Sequence, residues 1–409
     1  MIPELHIEDF TYPLTSDRIA KYPLPERDSS KLLYCNNSKI NTYVFRNLPE
    51  LLPEGSMMVF NDTKVVPARL HFKRDTGAIV EIFCLRPVLP EEYNLAFAST
   101  ERCRWECVIG NSKRWKGDIL SFYTDSEASP EAEALELKAS LVNKDGQTGV
   151  VEFFWKGGKP FSAVLEICGN VPIPPYLDRD TEAIDYERYQ TLYARIRGSV
   201  AAPTAGLHFT ERVLDGIRAK GIDIENVCLH VGAGTFLPVK DSEVSKHKMH
   251  REPFVVTLKF LEKLLNKKGP LVAVGTTSVR TLESLYYIGA SIIQKGAPED
   301  VEQWAPYEGD YSGITLSDAL NAIIKYLKDN GLKQLVAGTR IIIVPGFEFK
   351  VVDVLVTNFH QPESTLILLV SAFLNGNWKP VYDYALANGY RFLSYGDSSL
   401  LVRPTSKSL

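Results

Sequence analysis

The sequence predicts a mixed-sheet α/β protein with a small all-β domain inserted into it. Between about residues 67 and 155, short runs rich in β-branched and aromatic residues follow one another without a helical pattern between them. After that segment, apolar runs typical of buried strands alternate with amphipathic helical patterns. The 409 residues suffice for two or three domains. We therefore expect residues 1–66 and 156–409 to form one α/β domain, with residues 67–155 as the insertion.

The inserted segment is expected to form a small barrel or sandwich, because its strands are closely spaced and separated by turn formers. Its predicted strands are residues 79–85, 104–109, 118–123, 135–141 and 149–155.

The larger domain is expected to mix helices with buried strands. Its clearest helix has an apolar stripe of Leu320, Ile323, Ile324 and Leu327, a possible cap at Ser317 and a terminating glycine. The predicted helices are residues 211–220, 258–267, 276–285 and 317–330. The predicted strands are residues 56–60, 271–275, 340–345 and 351–356.

Composition places the chain among ordinary globular proteins, with 45% hydrophobic and 23% charged residues. A net charge of −4 argues against a protein coated in positive charge, although a local basic groove stays compatible with it. No apolar stretch approaches the ~20 residues of a membrane span, and the N-terminus lacks a secretory pattern. We expect a cytoplasmic protein without a membrane segment.

The six cysteines are scattered, which is typical of free thiols in a reducing compartment. Cys103 and Cys107 lie four apart, but no second pair follows at zinc-site spacing. His247 and His250 would share a face if they were helical, but a polar surface turn explains them better. We expect no metal site.

The run GSVAAPTAGLHFT at residues 198–210 is typical of a ligand-holding loop. Its small residues allow a ligand to lie against the backbone. His208 can move a proton near neutral pH, and Thr210 can cap a helix that begins at Glu211.

Three further runs could carry chemistry. His230 opens HVGAGTF after a strand-like run, but the match to a dinucleotide fingerprint is poor. The run GTTSVR at residues 275–280 follows a strand and opens a helix, so it could bind an anion or simply cap that helix. Residues 358–365 follow another buried strand, at the end where α/β sheets favour function.

Taken together, these runs are more specific than any one of them, and the chain resembles the S-adenosylmethionine:tRNA ribosyltransferase-isomerase family of queuosine biosynthesis. The matching blocks keep the family's order and cover nearly the whole chain. They are residues 59–69 (VFNDTKVVPAR), 198–210, 229–236 (LHVGAGTF), 247–250 (HKMH), 273–284 (AVGTTSVRTLES), 357–360 (TNFH) and 390–397 (YRFLSYGD).

The resemblance implies a mixed-sheet α/β catalytic domain with an inserted small β-barrel domain. It also implies that the ribosyl moiety of S-adenosylmethionine is transferred to 7-aminomethyl-7-deazaguanine at the tRNA wobble position and isomerised. The products would be epoxyqueuosine-tRNA, adenine and methionine. S-adenosylmethionine is then a consumed substrate, so no cofactor is expected. The expected partner is tRNA carrying the deazaguanine, and we expect a monomer.

This chemistry suggests roles for particular residues. His208 and His230 are the leading acid/base candidates, because each sits in a glycine-bearing loop. Arg280 and the neighbouring hydroxyls are expected to bind anionic groups. The predicted substrate-binding residues are Asn61, Asp62, Thr204, Gly206, Gly232, Gly234, Thr276, Thr277, Ser278, Arg280, His360 and Asp397.

Two features depart from the family pattern. Glu363 stands where the family usually has a lysine or arginine, and the stretch from about 290 to 340 is longer than expected. A negative charge there would repel a phosphate or carboxylate. Two alternatives therefore stay open: a diverged relative that acts on another substrate, and a non-catalytic RNA-binding protein of the same fold.

Overall fold

A nine-stranded mixed sheet forms the centre of the larger domain in the computed structural model, which describes residues 2–124, 129–146, 148–232 and 241–404. Strands and helices are numbered along the chain. In spatial order, the sheet contains β15 (Gln334–Thr339), β13 (Glu252–Thr257), β12 (Asp223–Leu229), β3 (Met57–Asn61), β14 (Leu271–Val274), β16 (Val354–Asn358), β17 (Ser398–Val402), β1 (Lys31–Asn36) and β2 (Lys39–Val44).

Four adjacent strands in the middle of this sheet, β12, β3, β14 and β16, run parallel. The strands β13, β15, β17 and β2 each pair antiparallel with an inner neighbour, and β1 lies parallel to β17. Every residue of β3, β14 and β16 is buried. Continuous burial is expected when helices cover both faces of a parallel sheet.

Twelve α-helices surround the sheet and the inserted domain in the described part of the chain. They are α1 (Leu48–Leu51), α2 (Tyr93–Ala98), α3 (Pro130–Ala134), α4 (Phe161–Cys168), α5 (Ala183–Arg188), α6 (Glu211–Ala219), α7 (Leu258–Leu265), α8 (Thr276–Lys295), α9 (Ala305–Glu308), α10 (Leu316–Asp329), α11 (Thr365–Phe373) and α12 (Trp378–Ala387). Short 3₁₀ helices are Ile7–Phe10, Ser16–Arg18, Arg27–Ser29, Phe45–Asn47, Ser112–Arg114, Pro175–Leu177, Thr204–His208 and Val244–Lys246.

The two faces of the sheet are covered by different helices. Val59 of β3 joins the cluster that contains apolar residues of α7, α8 and α10 to α12. Met58 and Phe60 join the cluster beneath α1 and α6. Successive side chains of a strand point to opposite faces, so β3 contributes to both cores.

The inserted domain is a closed six-stranded barrel, which confirms the predicted fold class. In order around the barrel, its strands are β10 (Thr148–Phe154), β7 (Arg102–Ile109), β6 (Ile79–Leu89), β5 (Arg69–Lys73), β8 (Leu120–Phe122) and β9 (Lys138–Asp145). Trp105 and Phe153 pack in its core against Phe161 of α4. These strands lie within residues 67–155, and the domain boundaries at those positions stay a prediction. A separate two-stranded parallel sheet joins β4 (Thr63–Val65) to β11 (Ile196–Ser199).

The predicted strand at residues 340–345 is wrong. Ile341 and Val344 are buried, but β15 ends at Thr339. The backbone N–H of Arg340 donates to the carbonyl of Val301, and that of Val344 donates to the hydroxyl of Tyr307. The apolar run is therefore buried as irregular chain, because its amides bond to a neighbouring loop rather than to a strand.

Three other predictions change in detail. The helix predicted at residues 276–285 continues to Lys295 and is followed by Gly296 at φ 83°. The helix predicted at residues 317–330 begins one residue earlier and is capped by Thr315 instead of Ser317. Residues 247–250 form no helix, so His247 and His250 do not share a helix face.

All six cysteines are buried free thiols. Within the described ranges, no helix is both long and apolar enough to cross a bilayer. The same ranges contain no group of three or more side chains suited to hold a metal ion.

Candidate active site

A cleft lies at the edge of the sheet where the four parallel strands end. It has an empty volume of about 690 Å³ and opens to solvent. Residues 201–205, 275–277 and 357–361 contribute to its walls, together with Val231. Residues 201–205 follow β11, residues 275–277 follow β14, residues 357–361 span the end of β16, and Val231 follows β12. Clefts at the carboxyl ends of parallel strands are the usual binding sites of α/β sheets.

The N-terminus of α8 forms one wall of the cleft. Gly275 precedes it at φ 86°, a conformation that favours glycine. Thr276 and Thr277 line the cleft, and the first N–H groups of a helix attract negative charge. Ser278 is fully buried and donates its hydroxyl to the carbonyl of Val274 at 2.7 Å, so it lies behind this wall.

Asn61, at the end of β3, fixes the neighbouring elements. Its Nδ2 donates to the carbonyl of Leu229 at 3.0 Å, and its Oδ1 accepts from the N–H of the same residue at 3.0 Å. Its Nδ2 also lies 3.4 Å from Thr277 Oγ1. The fully buried amide therefore ties β3 to β12 and positions a hydroxyl of the cleft wall.

His360 is the histidine that lines this cleft. Its Nε2 lies 2.9 Å from Thr357 Oγ1, and its backbone N–H donates to Tyr382 Oη at 3.2 Å. Its carbonyl accepts from the hydroxyl of Tyr12. Burial lowers the pKa of His360 to about 3, so its ring is neutral at physiological pH.

His208 lies behind the cleft wall instead of in it. Its Nδ1 is 2.8 Å from Ser30 Oγ, and its ring stacks on Phe45 with a centroid separation of 5.0 Å. Its Nε2 has no partner at standard hydrogen-bond geometry among the described residues, while the Asn358 side chain acts on the ring as a hydrogen-bonding neighbour. Burial lowers the pKa of His208 to about 4.

His230 is enclosed at the junction with the barrel. The ring of Tyr93 stacks on it at 4.8 Å, and a Cβ atom added to Gly198 would lie 2.5 Å from its ring. Its Nδ1 is 3.1 Å from Thr63 Oγ1, and its Nε2 is 3.9 Å from Cys228 Sγ. Burial lowers the pKa of His230 to about 4. The ring is neutral and sandwiched, and it does not line the cleft.

The residues predicted in the glycine-bearing loops also differ in whether they line the cleft. Thr204 lines the cleft, whereas Gly206 packs where an added Cβ would lie 1.8 Å from Tyr193 Oη. Gly206 is thus required for packing. A Cβ atom on Gly232 would meet open space. Gly234 lies outside the described residues.

Asp62 is a buried carboxylate beside β3. Its Oδ1 has no hydrogen-bond partner within the described ranges. Burial raises its pKa to about 6, although the nearby charge of Arg195 opposes that shift. Asp62 is therefore held close to its titration point at neutral pH.

The structure does not bring Arg280 or Asp397 to the cleft. Arg280 is buried in an ion pair with Glu252, and its Nε donates to the carbonyl of Ile341 at 3.1 Å. The Asp397 oxygens accept from the backbone N–H groups of Lys31 at 2.9 Å and Arg391 at 2.8 Å. Burial raises the pKa of Asp397. Both residues hold the surrounding chain in place.

Several lining residues were missing from the sequence prediction. Thr357 and Asn358 end β16 just before His360, and the sequence marked this run but did not name these two as binding residues. Leu393 also lines the cleft, and it has a φ of 68°, a strained conformation for a bulky residue. Tyr176 reaches the cleft from a distant segment and lies 2.6 Å from Ser394 Oγ. No local pattern signals that long-range contact.

Comparisons with known proteins show the family of this chain. A family model described as "Queuosine biosynthesis protein" matches residues 7–401. An S-adenosylmethionine:tRNA ribosyltransferase-isomerase from Sulfurihydrogenibium sp. (strain YO3AOP1) is 37% identical over 405 residues, which cover 97% of this chain and all of the relative. A protein of the same name from Legionella pneumophila (strain Lens) is 37% identical over 97% of this chain and 99% of its own.

A crystal structure of S-adenosylmethionine tRNA ribosyltransferase from Thermotoga maritima aligns at 26% identity and a TM-score of 0.45. The alignment covers 96% of this chain and 100% of that one. The family assignment rests on the sequence matches, which extend over nearly the full length. The chain belongs to the queuosine biosynthesis family of enzymes, whose curated relatives are named S-adenosylmethionine:tRNA ribosyltransferase-isomerases.

Proposed function

We propose that this protein is an S-adenosylmethionine:tRNA ribosyltransferase-isomerase. It transfers the ribosyl moiety of S-adenosylmethionine to 7-aminomethyl-7-deazaguanine at the tRNA wobble position and isomerises it. Epoxyqueuosine-tRNA, adenine and methionine are the products. S-adenosylmethionine is consumed, so the reaction needs no separate cofactor.

The observation that supports this function most is the cleft at the carboxyl ends of three parallel strands, β12, β14 and β16, closed by the segment that follows β11. Small residues and hydroxyls line it, with one neutral histidine, His360. The same loops carry the sequence blocks that mark the family. A cleft at the carboxyl ends of parallel strands is a typical binding site for a nucleoside substrate in an α/β enzyme.

We assign the proton acceptor to His360. The reaction requires a base that removes a proton from the carbon beside the positive sulfur. A neutral imidazole can accept that proton, and His360 is neutral and lies on the cleft wall. The hydroxyls of Thr276 and Thr277, with the N-terminus of α8, would hold polar groups of the ribose.

His208 and His230, the acid/base candidates of the sequence, take positioning roles in this assignment. His208 would act through Asn358, whose Nδ2 donates to the carbonyl of Leu393 at 2.9 Å in the cleft wall. His230 would act through Thr63, next to Asp62. Asp62 does not itself line the cleft, and it stays a candidate for binding the ribose or the amine from behind the wall. Arg280 is engaged by Glu252, so the methionine carboxylate requires a different cation.

The proposed partner is tRNA carrying the deazaguanine, bound by a cytoplasmic monomer. The net charge of −4 means that the tRNA would bind a local patch of positive charge.

The direct test incubates the protein with S-adenosylmethionine and tRNA bearing 7-aminomethyl-7-deazaguanine. We expect adenine and methionine to be released in equal amounts, and no release with unmodified tRNA. Binding of tRNA without adenine release would instead indicate a non-catalytic RNA-binding protein. Release that depends on another acceptor would indicate a diverged substrate.

A further inference from the structure

A second cavity lies next to the cleft, on the other side of His208 and Asn358. Its empty volume is about 280 Å³, and Ser394 lines both spaces. Three arginines, Arg27, Arg188 and Arg391, contribute to its walls together with His208. The proposed reaction assigns no role to this cavity.

Two of these arginines are held by backbone carbonyls. Arg27 Nη1 donates to the carbonyls of Gln190 at 2.9 Å and Leu207 at 3.1 Å, and its Nη2 donates to that of Glu187 at 3.0 Å. Arg188 Nη2 donates to the carbonyl of Leu24 at 2.7 Å. Carbonyls orient a guanidinium without cancelling its charge.

Counter-charges for this cluster are scarce. Within the described chain, neither Arg27 nor Arg188 has a carboxylate oxygen within 4.0 Å, and Arg188 Nε is buried without a partner. Arg391 approaches Asp397 at 3.8 Å, but that carboxylate already accepts two backbone N–H groups. Burial and the neighbouring Arg188 lower the pKa of Arg27, although the charge of Glu187 opposes that shift.

His208 completes the arrangement. Its Nε2 atom is buried, has no standard hydrogen-bond partner among the described residues, and belongs to a ring that lines the cavity. The cavity thus combines three guanidinium groups with the Nε atom of Arg188, which has no hydrogen-bond partner among the described residues, and with the neutral ring of His208. An excess of positive charge in a partly exposed cavity attracts an oxyanion, which guanidinium groups bind with charge-assisted hydrogen bonds.

We propose that this cavity is an oxyanion-binding site that anchors one of the substrates beside the cleft, an inference that rests on the proposed function. The oxyanion is either a backbone phosphate of the tRNA or the carboxylate of the methionyl end of S-adenosylmethionine. Both groups present oxygen atoms to the same guanidinium cluster. The site would hold the substrate while the reacting ribose occupies the cleft.

Arg391→Gln is the variant that tests this site. It removes one charge while the backbone N–H of residue 391 still donates to Asp397. Arg403→Gln is the matched control, because the two side chains are 31% and 33% exposed and both approach an aspartate. Arg403 follows β17 near Asp353, at the opposite edge of the sheet. Arg391→Lys keeps the charge and should retain part of the affinity.

The measurement is equilibrium binding of S-adenosylmethionine and of deazaguanine tRNA, each alone, so that turnover plays no part. Arg391→Gln should weaken binding of one ligand roughly 10-fold, while Arg403→Gln should not. Weaker S-adenosylmethionine binding identifies the carboxylate. Weaker tRNA binding, with a slope of log Kd against log salt reduced by about 0.9, identifies a phosphate.

Unchanged binding of both ligands by a folded Arg391→Gln protein would overturn the proposal, as would an equal loss in Arg403→Gln.

Inorganic phosphate provides an independent test with the wild-type protein, where it should raise the melting temperature more than chloride at equal ionic strength. Phosphate also stabilises folded proteins without binding a site, so the difference should shrink in Arg391→Gln and keep its wild-type size in Arg403→Gln. If the wild type binds neither substrate, the proposed function fails, and the phosphate experiment alone decides whether the cavity is an oxyanion site. If Arg391→Gln does not fold, the wild-type phosphate experiment decides, and no difference from chloride would overturn the proposal.

Discussion

The inserted barrel and the carboxyl edge of the large sheet differ in the polar side chains that they bury. In the barrel, charged side chains pair across neighbouring strands near the surface, as Arg104 does with Glu152 at 2.9 Å. At the sheet edge, Asp62 and His208 are buried, and Asp62 Oδ1 has no hydrogen-bond partner in the described chain. Buried polar atoms without partners cost stability. The barrel has such atoms as well, in Arg69 and Trp105, so the difference is that the sheet edge also buries a carboxylate and an imidazole, those of Asp62 and His208.

The two regions meet at His230. The ring comes from the end of β12 in the large sheet, and its stacking partner Tyr93 comes from α2, between strands of the barrel. The barrel thereby contributes directly to the packing around the polar edge. Four substitutions test how far the two regions differ and how far they depend on each other.

The largest effect is expected from Arg280→Met. It would leave Glu252 buried without its ion-pair partner, which should lower the free energy of unfolding by about 3–5 kcal/mol. Urea denaturation measures this change. The matched control is Arg251→Met, which breaks the more exposed pair with Asp300 and should cost about 1 kcal/mol or less. If Arg280→Met is as stable as the wild type but has a raised KM for S-adenosylmethionine, Arg280 binds the substrate and the structural role is wrong.

His360→Gln should lower the rate of adenine release at least ~100-fold, because the substitution removes the proposed proton acceptor. The melting temperature should stay close to that of the wild type. His71→Gln is the comparison in the barrel, where His71 is partly exposed beside Glu81 at 3.4 Å. That variant should release adenine at the wild-type rate. Near-normal turnover by His360→Gln would remove His360 from the mechanism.

The pH dependence of stability should change in His230→Gln. Burial lowers the pKa of His230 to about 4, so between pH 4 and about 6.5 the unfolded chain binds a proton that the folded protein does not. This histidine therefore makes wild-type stability rise with pH in that window, by on the order of 1 kcal/mol per pH unit. The contribution is complete above pH 6.5 and is lost as the pH falls.

Urea denaturation of both proteins from pH 4.5 to pH 7.5 measures this difference. The wild-type curve should rise more steeply than the variant curve up to about pH 6.5, and the two should run parallel above it. Parallel curves over the whole range would mean that the folded ring titrates normally and is not enclosed as described.

The smallest effect is expected from Tyr93→Leu. Losing the stacked ring should reduce adenine release about 3- to 10-fold, in line with the 0.5–1.5 kcal/mol of an aromatic pair. Tyr93→Phe is the control, because the hydroxyl only donates a long bond of 3.4 Å to the carbonyl of Leu85. It should keep wild-type activity. Equal losses in both variants would argue that the hydroxyl, rather than the stack, matters.

Much of the fold could be predicted from local patterns. The buried run of β14, followed by the hydroxyl-rich start of α8, placed a strand end and a helix N-terminus correctly. The apolar stripe of α10 and the close spacing of the barrel strands also predicted these elements correctly. The run at residues 340–345 was misread, because an apolar stretch indicates burial but not which groups its amides bond.

The site was only partly predictable for the same reason. Thr276 and His360 line the cleft because they directly follow parallel strands, which sequence can indicate. Arg280 was predicted to bind an anionic group of the substrate, but it forms an ion pair with Glu252, which lies on a strand distant in sequence. His208 and His230 sit in loops of the expected type, yet their positions depend on Phe45 and Tyr93, which are remote in sequence.

The central claim is that the cleft at the carboxyl ends of the parallel strands binds S-adenosylmethionine. A crystal structure of the protein with S-adenosylmethionine tests it most directly. We expect the ribose to contact the wall formed by Thr276 and Thr277, with the carbon beside the sulfur facing His360. A ligand bound in the barrel, or at the opposite edge of the sheet near Arg403, would contradict the claim.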